Sequence, residues 1–167
     1  NRGVMFPTVP EGAVAGAAGP EGEQVGNDVT ADLAIRRAVN TAVDRAALVE
    51  GVLEGFGSPA WGPADAAPWG NPEAAAADAD PQAAAAILEE AGWRDEDGDG
   101  VREKDGLRAS FSLLYPAEDS LRQGLALNVA DMVAEAGIEV LAEGVSWEEI
   151  DRRLHTDAVL FGWAFRR

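Results

Sequence analysis

The segment Ala158-Val-Leu-Phe-Gly-Trp-Ala-Phe165 carries no charge and is nearly all apolar. A run of this kind has no wet face, so both of its sides must be covered, which is the condition of an interior strand in a parallel sheet. A chain containing such a strand has to supply helices for the two faces. The remaining sequence is therefore read for strand and helix units that could build that sheet.

Two such units precede it. From Leu107 to Tyr115, apolar Leu107, Ala109, Phe111 and Leu113 alternate with Arg108, Ser110 and Ser112, the period of a half-buried strand. Leu121, Leu125, Val129, Met132 and Val133 then repeat at helical spacing up to Gly137, and Ile138-Glu-Val-Leu141 reads as a further strand. Strand, helix, strand suggests a parallel crossover. Ser146-Trp-Glu-Glu149 has the spacing of a capping box and opens a short helix reaching about Leu154.

Upstream, Asp28 or Thr30 can cap a helix bearing Leu33, Ile35, Ala38 and Val39. Asp44 caps a second helix, with Ala47, Leu48, Val52 and Leu53 as its apolar face and Gly55 at its end. Asp80-Pro81 starts a third helix, which stops at Gly92. Arg2 to Phe6 is strand-like, whereas Pro7 to Val29 is Gly-, Pro- and Ala-rich and reads as a long loop. The Phe56 to Pro72 stretch is irregular and holds two Trp. The fold class expected is α/β, a mostly parallel sheet flanked by helices.

Composition limits what such a domain can do. The 167 residues suffice for one compact domain, and a net charge of −17 argues against nucleic-acid binding, which needs Lys and Arg on a common face. With no Cys there is no disulfide, thiolate nucleophile or Cys-based metal site. The single His, His155, sits in the charged stretch Asp151 to Asp157 with no nucleophile elbow anywhere, so a Ser-His-Asp triad is not supported. No apolar run approaches the ~20 residues of a membrane span, and no signal peptide opens the chain. Beginning at Asn1 and stopping in an apolar run at Arg167, the chain reads as a piece of a larger protein.

Two sets of candidate site residues emerge. In Asp95-Glu-Asp97-Gly-Asp99-Gly100, alternate carboxylates and a Gly at the sixth place match the start of a calcium loop, but the twelfth place holds Gly106 rather than a bidentate Glu. The alternative is an Asp/Gly turn whose side chains bond their own backbone. Trp61, Trp69, Trp147 and Trp163 lie beside Gly or Pro or at the start of a helix, positions that suit a ligand cleft, although such Trp are also common in cores.

Four segments together resemble the family 5 extracellular solute-binding proteins, the peptide, dipeptide and nickel receptors of ABC importers. They are Ile35-Arg-Arg-Ala-Val-Asn-Thr-Ala-Val-Asp-Arg45, Gly57-Ser-Pro-Ala60, Ala91-Gly-Trp-Arg-Asp-Glu-Asp-Gly-Asp-Gly100 and Ser146-Trp147, in the family's order. The resemblance covers about Thr30 to Trp163; residues 1–29 match poorly. It implies that residues 1–167 form one lobe of a type II periplasmic-binding-protein-like fold, a pair of lobes that close on solute. It further implies that Trp147 is a cleft tryptophan and that Gly162-Trp163 faces ligand. Ala164-Phe165-Arg166-Arg167 stands where an aspartate commonly receives a peptide's amino terminus.

The resemblance thus implies a non-enzymatic, monomeric receptor that captures a small peptide or similar solute. It would work with an ABC permease and a first lobe of the same protein, outside the cytoplasm and lipid-anchored in full length. Trp61 joins Trp147, Gly162 and Trp163 as a ligand-binding candidate. No cofactor is implied; the one metal suggested is calcium on Asp95, Asp97 and Asp99, which would make the chain a calcium-stabilised module instead. An enzyme built on paired carboxylates would need two of them facing each other at roughly 5–10 Å.

Overall fold

The structure is a computed structural model that describes residues 2–7, 17–62, 64–65 and 67–162. Short strands β1 (Gly3–Met5), β2 (Ala17–Ala18) and β3 (Gln24–Val25) lead to helices α1 (Leu33–Ala42) and α2 (Arg45–Gly51). A 3-10 turn at Pro72–Ala74 and helix α3 (Pro81–Glu90) follow, then strands β4 (Glu103–Lys104), β5 (Leu107–Arg108) and β6 (Ser110–Pro116). Helix α4 (Ser120–Ala134), strand β7 (Glu139–Val145), helix α5 (Trp147–Arg153) and strand β8 (Ala158–Phe161) complete the described elements.

The main sheet has the order β1-β8-β6-β7. β7 and β8 run parallel to β6, with Phe111 opposite Val140 and Leu113 opposite both Ala142 and Ala158. β1 is antiparallel to β8. Of the apolar segment read as an interior strand, Ala158–Phe161 forms β8 between β1 and β6, residues 163–165 lie outside the described residues, and alternate residues of β8 enter two cores. Ala158 and Leu160 join Phe111, Leu113 and Val140 beneath α1, α3 and α4. Val159 packs with Leu114 and with Ile150 of α5 on the opposite face. Ile35, Leu88 and Leu113 have no exposed area, and each such side chain contributes about 1.5–3 kcal/mol of transfer free energy.

The α3 terminus shows how local sequence directs the chain into this core. Gly92, at φ +89°, follows the helix, and its N–H donates to Glu89 O at 3.1 Å while Trp93 N–H donates to Leu88 O at 2.9 Å. That pair of bonds is a Schellman ending, which brings Leu88 and Trp93 together, and both are buried.

Several boundaries differ from expectation. α1 is capped by Asp32, whose carboxylate accepts from Ala34 N–H at 2.8 Å, not by Asp28 or Thr30. Asn27 takes the N–H groups of Val29 and Thr30 into a turn instead, and Thr30 is fully buried. Leu33 is consequently 49% exposed, and Ala42 joins Ile35, Ala38 and Val39 on the buried face. α2 stops at Gly51, with Ala47 exposed, and Glu54 and Gly55 at positive φ form the turn beyond it.

The strand expected from Leu107 to Tyr115 is divided at Ala109. β5 pairs antiparallel with β4 across Asp105-Gly106, both at positive φ, the signature of a two-residue type I′ hairpin; β6 then enters the main sheet. In the lead-in read as a loop, β2 and β3 pair as a small hairpin. Among the described residues, no helix is long and apolar enough to cross a membrane.

Candidate functional site

Because β6 and β7 are parallel, the loops that follow them emerge on one edge of the sheet. Ala117 N–H in the first loop donates to Val145 O in the second at 2.9 Å. The first loop turns into α4 at Asp119, whose carboxylate caps the helix by accepting from Arg122 N–H at 2.9 Å. The second turns into α5 at Ser146, whose hydroxyl accepts from Glu149 N–H at 3.2 Å. Between these two helix starts lies an open cleft of about 360 Å³, with Pro116, Glu118, Asp119, Leu121, Arg122 and Trp147 among its walls. The carboxyl ends of parallel strands are where open α/β sheets bind ligands.

Trp147, the first residue of α5, is 50% exposed. The Arg122 guanidinium lies 5.9 Å from the centroid of its ring and also pairs with the Asp119 carboxylate. The Arg122 backbone N–H, and then its guanidinium, hold Asp119 below the usual carboxylate range against the opposing effect of burial.

Behind the cleft, α5 is fixed to the sheet by charge. Arg153 donates to Glu143 of β7 at 2.9 Å and to Asp157 at 3.1 Å, while Ser112 of β6 donates to Glu143 at 2.5 Å. The Arg153 and Ser112 hydrogen bonds keep the Glu143 carboxyl below its ordinary value.

The other sequence candidates fall elsewhere. Trp61 does not line this cleft; its ring lies 5.6 Å from the Arg45 guanidinium, and Arg45 is itself held by Ala60 O at 2.9 Å and Asp78 at 3.3 Å. Trp69 is 75% exposed in the same connection. Gly162 directly follows β8 and is half-buried, and Trp163 lies outside the described residues. Sequence reasoning passed over Asp119 and Arg122, although an Asp three residues before an Arg at a helix start is a legible cap with an i,i+3 partner.

Asp95, Asp97 and Asp99 do converge, each offering one oxygen within 4.8 Å of the others, and all three are exposed. Those oxygens are also engaged by the loop. Asp95 accepts from the N–H groups of Gly98 and Gly100 at 2.7 and 3.0 Å, Asp97 from Asp99 N–H at 3.1 Å, and Asp99 from Val101 N–H at 2.9 Å. Arg108 adds an ion pair to Asp99 at 2.6 Å. The Val101 N–H, followed by Arg108, draws the Asp99 carboxyl below its usual range. A hairpin, not a helix, follows the loop.

Residues 17–166 match the model of the bacterial extracellular solute-binding proteins, family 5 Middle. Protein XP55 of Streptomyces lividans is 50% identical over 133 residues, covering 79% of this chain and 24% of that protein. Oligopeptide-binding protein AppA of Bacillus subtilis is 32% identical over 146 residues, covering 83% of this chain and 27% of AppA. The crystal structure of NikA from Brucella suis in complex with Fe(III)-EDTA superposes with a TM-score of 0.76 at 27% identity, over 96% of this chain and 30% of NikA. The chain spans about a quarter of the length of the curated relatives it matches. With its α/β fold, its edge-of-sheet cleft and these matches, the chain belongs to family 5 of the bacterial extracellular solute-binding proteins.

Proposed function

We propose that this chain is the solute-capturing lobe of an ABC importer's extracytoplasmic receptor, and that the solute is a short peptide held against Trp147. The observation that carries this reading is a half-exposed indole at the carboxyl edge of parallel strands, on a wall of an open cleft. Family membership supports capture by a receptor, and the name of AppA supports a peptide. NikA, seen with Fe(III)-EDTA, keeps a metal chelate in view as the competing solute.

The cleft is one-sided and holds solute weakly by itself; capture is completed by a second lobe closing over it, on a chain of the length of the relatives of which this one spans about a quarter. Closure stabilised by solute is a population shift between open and closed forms, and the closed form docks on the permease. The receptor acts as a monomer, tethered outside the cytoplasm by a lipid anchor, and performs no chemistry on its cargo. The resemblance also implies a ligand contact at Gly162-Trp163, of which Trp163 lies outside the described residues, whereas Trp61 lies against Arg45 away from this cleft.

Titration of tryptophan fluorescence with di- to pentapeptides and with nickel tests the reading. Trp147→Ala should weaken peptide binding by about tenfold or more, the order reported for truncating an aromatic hot spot. Unaltered affinity in that variant, with its circular dichroism unchanged, would remove Trp147 from the site.

The convergence of Asp95, Asp97 and Asp99 favours one second reading, a calcium-stabilised module. A site saturated at 100 times its Kd stabilises by about 2.7 kcal/mol. For a domain of this size that raises Tm by roughly 2–4 °C per kcal/mol. Melting in calcium against a chelator, repeated with Asp97→Asn, separates the readings. Solute capture alone predicts no calcium shift in either protein, and a shift abolished by Asp97→Asn establishes the metal site.

A further inference from the structure

We infer that Arg122 is the positioning residue of Trp147, fixing how the indole stands at the wall of the cleft by placing a cation over its ring. Trp147 is half exposed and the Arg122 side chain only 13% exposed, and both stand on the wall of the cleft. The guanidinium-to-centroid distance of 5.9 Å is within the range of a cation–π contact. One end of the guanidinium is tied to Asp119, and Arg122 Nε is buried with no acceptor among the described residues. The guanidinium is therefore placed by Asp119 and the indole, not by a web of hydrogen bonds.

Asp119 is in turn fixed as the cap of α4, a 15-residue helix. The chain of contacts Asp119, Arg122, Trp147 joins the starts of α4 and α5, the same two loops that Ala117 and Val145 link through the backbone. With the ring held by a cation, the half-exposed indole offers its remaining free surface to an apolar or planar group of the solute. This consequence for solute choice rests on the capture reading; the placement of Trp147 by Arg122 does not.

The requirement is for arginine specifically. Its flat, delocalised cation stacks on a ring while its edge bonds a carboxylate, a combination that a lysine ammonium cannot reproduce.

Incorporating 5-fluorotryptophan gives each Trp its own fluorine NMR line, with Trp147→Phe assigning that of Trp147. Arg122→Met and Arg122→Lys are both expected to move the Trp147 line most of the way toward the free amino acid, leaving the line of core Trp93 in place. A Trp147 line unmoved by Arg122→Met, or fully retained by Arg122→Lys, overturns the inference. Should Arg122→Met also displace the Trp93 line, Asp119→Asn decides. It keeps a good helix cap, removes the partner charge, and must move the Trp147 line in the same direction by a smaller amount; an unmoved line there is equally fatal. Titrating the unsubstituted protein with di- to pentapeptides on the same line tests capture separately. A line that responds to Arg122→Met but to no peptide supports the placement and counts against the capture reading.

Discussion

Trp93→Ala is expected to cost about 3–5 kcal/mol of folding stability, the range for deleting a fully buried large aromatic. Trp93 is 1% exposed and sits where the end of α3 meets the core. Its ring packs in the main cluster, its Nε1–H donates to Asp32 at 3.0 Å, and Lys104 Nζ lies 5.8 Å from the ring centroid. Alanine leaves a cavity and removes one donor from Asp32 together. Trp93→Phe keeps most of the volume and loses the N–H, so its cost should be nearer about 1–3 kcal/mol. Urea unfolding curves with matched slopes measure both. A cost below about 1 kcal/mol for the alanine would mean that the neighbours collapse into the space, and that Trp93 does not fasten α3 to the core.

Asp32→Ala is the second large effect, expected at about 2–4 kcal/mol from two contributions. The α1 cap is lost, typically about 1 kcal/mol, and the Trp93 N–H and the Lys104 ammonium lose a shared acceptor, about 1–3 kcal/mol more. Lys104 is one-third exposed, which keeps its share toward the low end. Asp32→Asn retains a capping oxygen while removing the charge, and should fall between the alanine variant and the original.

The pH dependence separates charge from cap. Burial pushes the Asp32 carboxyl up, but hydrogen bonds from Lys104, Ala34 N–H and Trp93, with the Lys104 charge, outweigh it, and the net shift is downward. A carboxyl lowered in the folded state stabilises fully above its unfolded pKa, about 3.9, and loses that contribution as pH falls from there through the lower folded value. The stability gap between the original protein and Asp32→Asn should accordingly be flat near neutrality and narrow below about pH 4. A gap that persists unchanged at low pH would show that the charge contributes nothing.

Asp32 also illustrates what sequence alone can and cannot resolve. Asp28, Thr30 and Asp32 are all competent caps standing in a row. The choice is made by partners 61 and 72 positions away, Trp93 and Lys104, which no local pattern encodes. Where the deciding interaction is local, the reading succeeds, as in the Asp80 cap, the Gly92 ending and the Ser146 cap of α5. The division at Ala109 fell between these cases. Asp105-Gly106 is a readable hairpin turn, but the period-two alternation runs straight through the point where the strand changes partner.

The site divides along the same line. Trp147 was legible because the Ser146 cap places it at a helix start and the family resemblance places that start beside a cleft. Arg122 was not, because its cation–π contact with Trp147 depends on two helix starts, some 25 residues apart, being brought together by the parallel pairing of β6 and β7.

That sheet also sets an order of assembly. β6, α4 and β7 are contiguous in the chain and can dock by closing a short crossover, whereas β1 reaches its place only when Gly3 meets Phe161 from the far end of the sequence. Loop-closure entropy makes that last pairing the slow one. Pulsed hydrogen exchange during refolding should protect the amides of β6 and β7 before those of β1, and simultaneous protection would refute the order. In the interval, the side of β8 that β1 will cover is a bare margin of the sheet, open to any extended segment of another molecule. The residues around Val159 are thus the place where a slowly folding copy of this protein would first bind a neighbour instead of itself.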